Sequence, residues 1–162
     1  MKKLWIVAVV ALVGLIASPT MLADRGRSVR AELSGTDEVP SVSTTGSGEF
    51  RARLGDDAIE FELSYQDLEG TVTNAAHIHL GKEATNGGVI AFLCGGGGKP
   101  ACTPTSGLFT GTITAADVIG PTGQGIAAGE FDEVLRAFRD DAIYANVHTN
   151  KHPGGEIRGQ VD

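Results

Sequence analysis

His77 and His79 stand one residue apart in "AHIHLG" and make up half of the chain's four histidines. His148 follows in "YANVHT" and His152 in "NKHPGG". On an extended strand, residues i and i+2 share a face about 7 Å apart. Two imidazoles so placed can converge on one ion at roughly 2.0–2.1 Å from each nitrogen. A third nitrogen from His148 would complete a three-histidine set suited to copper or zinc. The competing role is structural, with the rings bonded to Glu156, Asn146 or main-chain groups. Unperturbed imidazoles titrate at about 6.5, so metal affinity is predicted to fall as pH drops through about 6. Within the trio, His79→Ala is expected to remove most affinity, because His77 and His79 form the closest pair. His152 lies in a glycine-rich turn and reads as a lid rather than a rigid ligand.

These side chains need strands to aim them, and the sequence supplies strand patterning. Val29, Ala31 and Leu33 alternate with polar residues, as do Phe50, Ala52 and Leu54, and then Ile59, Phe61, Leu63 and Tyr65. A period of two marks half-buried strands. "LGDDA" joins the second and third runs as a hairpin. "GVIAFL" is apolar on both faces, which predicts a central strand; "LFTGTIT" is a further strand. One segment changes period: Phe131, Val134, Leu135 and Phe138 recur at helical steps, predicting one short helix that covers an end of the sheets. The fold class is therefore all-β, an antiparallel sandwich of about seven to eight strands with Ig-like or superoxide-dismutase-like Greek-key topology.

The same alternation sorts the late strands. Ala76, Ile78 and Leu80 point one way and the two histidines the other. In "AIYANVHT", Tyr144, Asn146 and His148 oppose Ile143, Ala145 and Val147; in "GEIRGQV", Glu156, Arg158 and Gln160 oppose Ile157 and Val161. If these strands share a sheet, Asn146, Glu156, Arg158 and Gln160 form a polar patch with the histidines. Arg158 then serves either to pin strands, through Glu156 or through a carboxylate or carbonyl across the sheet, or as an anion site.

Cys94 and Cys102 flank "GGGGKPA" and form the chain's entire cysteine set. A disulfide is expected, and the rival two-thiolate metal site lacks a C-x-x-C spacing. The compartment reading agrees. Lys2 and Lys3 precede an apolar run from Leu4 to Ile16 and then "ASPTMLA". That order predicts a secretory signal peptide over 1–23, with cleavage after Ala17 or Ala23, and one domain over 24–162. The run is too short for a comfortable membrane span, which needs about 20 residues. The expected location is secreted or periplasmic, with no membrane attachment after cleavage. A formal net charge of −7 leaves no basic footprint for nucleic acid.

Together "AHIHLG", "NGGVIAFL", "GTIT", "YANVHT" and "PGGEIRGQV", with "ELSGTDEVP" and "GSGEF" near the start, resemble the CHRD domain, named for its repeats in chordin. The resemblance runs from about Ala31 to Val161. It marks His77, His79, Asn146, His148, Glu156, Arg158 and Gln160 as signature positions without giving them roles. It implies an extracellular or exported protein; in chordin the setting is binding of secreted growth factors. Gly88 stands where the pattern leads one to expect proline, and the "CGGGGKPAC" loop is an elaboration. A fainter similarity, carried by "HIH" and the architecture alone, is to copper/zinc superoxide dismutase. Its bridging histidine, zinc loop and active-site arginine segment find no match.

The sequence has no G-x-S-x-G elbow and no H-E-x-x-H motif, and no Lys-Ser/Thr follows Gly95–Gly98 as a phosphate loop requires. The expected function is a secreted, non-enzymatic CHRD binding or structural module with an unidentified extracellular partner. The alternative is a copper- or zinc-binding protein with superoxide-dismutase-like redox activity.

Overall fold

The computed structural model describes residues 26–72 and 75–162; the signal peptide expected over 1–23 lies outside them. Eight strands follow in chain order: β1 (Arg27–Ser34), β2 (Ser47–Leu54), β3 (Ile59–Gln66), β4 (Ala76–Leu80), β5 (Val89–Cys94), β6 (Gly107–Ile113), β7 (Ile143–Val147) and β8 (Ile157–Gln160). One helix, α1 (Phe131–Arg139), precedes β7. The alternating runs became strands because each buries one face, as in β3, where Ile59, Phe61, Leu63 and Tyr65 face the core. Gly55 N–H donates to Ala58 O across the β2–β3 turn, as the "LGDDA" signal predicted.

All eight strands join one antiparallel sheet in the order β5-β4-β7-β8-β1-β2-β3-β6. It curls until its two edges, β5 and β6, lie near each other without ladder bonds, giving a nearly closed barrel. Opposite walls of this curled sheet supply the two facing apolar layers of the core. Helix α1 covers one end with Phe131, Val134, Leu135 and Phe138 buried. Acidic Asp132 and Glu133 in its first turn and Arg136 and Arg139 in its last complement the helix dipole.

One placement differs from expectation. β5 is an edge strand rather than a central one. Its apolar outer face is nonetheless sheltered, because the segment before α1 runs beside it and Ile119 N–H donates to Ile90 O. A covered edge needs the same continuous apolar run as a central strand.

Cys94 and Cys102 form a disulfide that closes the glycine loop after β5. A loop this short contributes about 2–3 kcal/mol by restricting the unfolded chain.

Two loops shield one wall of the barrel from water. The stretch 35–46 leaves β1 and the stretch 81–88 leaves β4. They meet where Asn86 Nδ2 donates to Val39 O (3.0 Å). Together they cover the outer, polar face of β4, β7 and β8, so the patch of polar residues anticipated on that face is buried: Asn146 is 2 % exposed, Arg158 2 % and Glu156 0 %.

Candidate metal centre

β4 and β7 are hydrogen-bonded neighbours, with His77 opposite Asn146 and His79 opposite Tyr144. Ala76 and Ile78 enter the core, which turns His77 and His79 outward. Irregularities in the β4–β5 ladder fall beside both histidines; bulges of this kind re-aim side chains. His148 sits one residue past β7, held by its N–H to Ala75 O (3.2 Å). The three rings come together as the sequence predicted. Their centroids lie 5.4 Å (His77–His79), 5.1 Å (His77–His148) and 5.7 Å (His79–His148) apart. His77 and His148, from different strands, are thus nearer than the in-strand pair. His152 is not a member of the cluster.

One nitrogen of each ring lies within 4.8 Å of the other two. A triangle of that side has its centre within about 2.8 Å of each corner, so small side-chain rotations reach the ~2.0–2.1 Å of a metal–imidazole bond. Hydrogen bonding shows which atoms are free. His79 Nδ1 lies 3.1 Å from Gly87 O and His148 Nδ1 lies 3.0 Å from Pro153 O. A carbonyl only accepts, so each Nδ1 carries the proton and each Nε2 keeps its lone pair. Those two Nε2 atoms, with His77 Nδ1, are buried without a hydrogen-bond partner. A carbonyl behind one ring nitrogen and an unsatisfied lone pair on the other is how proteins prepare histidine ligands. The two orphaned Nε2 acceptors, and the unpartnered His77 Nδ1, otherwise cost about 1–3 kcal/mol each.

The surroundings fix the rings. Phe92 packs against His77 with centroids 4.6 Å apart. Gly96 and Gly97 of the disulfide loop lie so close over Phe92 that a Cβ on either would strike its ring. Tyr144 stacks on His79 at 4.7 Å, nearly parallel at 7°. The Tyr144 hydroxyl donates to Gly87 O (3.2 Å), the same carbonyl that holds His79. Gly87 itself is irreplaceable by a larger residue, since a Cβ there would overlap the Leu80 carbonyl.

Burial depresses all three imidazoles. It pushes His77 down to about 3, reinforced by the charges of His148 and His79. It pushes His79 down to about 4, opposed by the Gly87 hydrogen bond and aided by His148 and Arg158. His148 is lowered by burial, partly offset by Pro153. The rings are therefore neutral at neutral pH. The expected loss of metal affinity near pH 6 moves down accordingly: protons compete at His79 only as pH approaches about 4 and at His77 lower still, and at His148 below the ordinary imidazole range.

The same burial gives a sign for stability. The unfolded chain takes up protons at about 6.5 while the folded rings stay neutral. The metal-free protein should thus lose stability as pH falls from about 6.5, by about 1.4 kcal/mol per pH unit for each ring that stays neutral. Urea denaturation from pH 7.5 to 4.5 checks this. His77→Asn, which cannot be protonated, should show a shallower slope; an unchanged slope would contradict the buried-neutral assignment.

The remaining anticipated residues play different parts. Glu156 does not touch the histidines. Its Oε1 accepts from Thr44 Oγ1 (2.7 Å) and Glu69 N–H (2.6 Å), and its Oε2 from Gly70 N–H (3.1 Å) and Thr149 Oγ1 (2.7 Å). Asn146 donates to Glu38 Oε1 (2.8 Å). Glu38, a loop residue that patterning did not single out, is buried, and burial pushes it up to about 7 against the Asn146 bond and the nearby Arg158. Gly155 makes room for this pair at φ 134°, where any Cβ would collide with both side chains. Gln160 Nε2 donates to Gly81 O (3.1 Å) and Asp141 O (2.8 Å).

Arg158 does not form the anticipated ion pair. It donates to Thr85 O (2.8 Å), Lys82 O (3.1 Å) and Asn86 Oδ1 (3.3 Å), and its guanidinium carbon lies 3.5 Å from the Tyr144 ring centroid. Loop carbonyls, invisible to strand patterning, took the place of the carboxylate.

A family model described as the CHRD domain matches residues 29–161. No curated protein and no solved structure matches the chain.

Proposed function

Because the chain belongs to the CHRD domain family, and because each of its three clustered histidines keeps a buried nitrogen without a partner, we propose that it is an exported CHRD module whose ligand is one transition-metal ion. His77 Nδ1, His79 Nε2 and His148 Nε2 are the ligand atoms. The observation that carries this reading is that one ligand nitrogen of each ring lies within 4.8 Å of the other two, in three rings that each hold a buried nitrogen without a partner. Imidazole ligands suit copper and zinc, and the divalent stability order favours copper over zinc at a site of this kind. The cysteines are joined to each other, so thiolate does not enter the ligand set.

The N-terminal patterning and the disulfide favour a periplasmic or extracellular setting. There the module captures or carries the ion without a chemical step of its own. Untagged protein purified from the exporting cell, analysed for metal content and titrated with Cu(II) and Zn(II) at pH 7 and pH 5, tests the reading. One copper per chain is expected, retained at pH 5. Weak, nonstoichiometric uptake of both ions, and of Cu(I) by the same protein under reducing conditions, would leave the histidines as packing residues.

A further inference from the structure

We infer, resting on the metal reading above, that the site is built for monovalent copper: the guanidinium of Arg158, stacked behind Tyr144 with no carboxylate at ion-pair distance, makes the three histidines hold Cu(I) in preference to Cu(II). β7 lies between β4 and β8 in the sheet. Tyr144 therefore has His79 on one side and Arg158 on the other, and the three form a stack from guanidinium to phenol to imidazole.

Arg158 is 2 % exposed. Its hydrogen-bond acceptors are two carbonyls and an amide oxygen, all uncharged. Among the described residues no carboxylate lies within ion-pair distance of it. A buried cation normally finds a carboxylate, since leaving it unpaired is expensive. Here its full charge faces the metal centre through an aromatic ring.

The candidate countercharges are weak. Glu38 feels the charge of Arg158 but is hydrogen-bonded to Asn146 instead, and near neutral pH it is only partly ionised, so it offsets the guanidinium in part. Glu32, Asp37 and Glu83 rim the cavity of about 330 Å³ that Arg158 lines, but all three are exposed, where water screens them. The ligands add no negative charge either, because three neutral imidazoles leave the ion's own charge undiminished. Burial penalises a dication more than a monocation, and the neighbouring guanidinium repels it more. A unit charge roughly 10 Å away, at an effective dielectric near 20, shifts the balance between +1 and +2 ions by about tenfold.

The test uses untagged, metal-stripped protein. Cu(I) affinity is measured by competition with bathocuproine disulfonate under anaerobic ascorbate, and Cu(II) and Zn(II) affinities by competition with nitrilotriacetate. In Arg158→Met the ratios of Cu(I) to Cu(II) affinity and of Cu(I) to Zn(II) affinity should each fall about tenfold. Arg158→Lys, which keeps the charge, should stay near wild type. Asn86→Asp leaves Arg158 in place and sets a carboxylate against it; it should move the ratio the same way by a few-fold and keeps the test open if Arg158→Met fails to fold.

Ratios unmoved in Asn86→Asp and Arg158→Met, or moved equally by the lysine variant, would overturn the inference while leaving the metal site standing. Failure of the wild type to bind copper in either state would instead refute the metal reading itself.

Discussion

Copper affinity is expected to fall about a thousandfold in His79→Ala, with the fold retained. An apparent binding energy of about 10–16 kcal/mol, spread over three or four ligands, assigns several kcal/mol to each. His79 is the most tightly pre-set of the three. Gly87 O fixes its tautomer and Tyr144 lies flat on its ring, so little order remains to be imposed when the ion arrives. The loss should be matched in His77→Ala and His148→Ala, because the three rings are nearly equidistant. His152→Ala should stay within about twofold of wild type, since that ring is outside the cluster. Calorimetric titration of the four variants decides it. Equal affinities across the set would remove the histidines as ligands.

Replacement of Glu156 by glutamine is expected to destabilise the domain by about 3–5 kcal/mol, the cost of losing two charge-assisted hydrogen bonds and leaving a buried donor without an acceptor. The carboxylate is fully buried and accepts four hydrogen bonds, two from main-chain N–H groups that cannot turn away. An amide keeps one oxygen and points an NH₂ at donors on the other side. For a domain of this size that corresponds to a melting temperature lower by about 10 °C or more.

The pH dependence carries the same sign. Burial raises the Glu156 carboxyl, but the bonds from Thr149, Thr44, Glu69 and Gly70 hold it below its ordinary value overall. Its contribution is therefore complete above the ordinary carboxyl range and is lost as pH falls through the depressed value. Urea melts of wild type and Glu156→Gln at pH 7 measure the difference. A change under about 1 kcal/mol would show that the four bonds do not hold the loops. Glu156 also ties down Thr149, at the start of the turn whose Pro153 carbonyl orients His148. The variant should accordingly weaken metal binding as well.

The strands, the helix and the outward direction of His77, His79 and His148 were all legible, because each follows from a local period of two or of three to four. Phe131, Val134, Leu135 and Phe138 needed no tertiary knowledge to be read as one buried stripe. The cover over the polar face was not legible. Glu38 and Asn86 sit in loops without periodicity, and their positions depend on contacts 108 and 72 residues away in sequence, to Asn146 and Arg158. The same holds for Arg158. Alternation placed it on the correct face, but only the folded loops show that carbonyls rather than a carboxylate receive it. β5 was misplaced for a related reason: apolarity on both faces reports burial, and burial does not say whether a strand or a loop provides it.

The pairing of β4 with β7, and of β1 with β8, bears on how the molecule is made. Both ladders join segments far apart in the chain. Such distant partners meet only after a large loss of chain entropy, and so late in folding. The histidine trio spans the first of these ladders, so it does not exist in a chain that has only its local hairpins. An ion therefore cannot act as a nucleus for this fold. Under the metal reading proposed above, the ion meets a finished barrel, binds the native state alone, and adds to its stability in proportion to the logarithm of free ion over dissociation constant. On that reading, the lifetime of the folded protein becomes a record of how much of the metal is at hand.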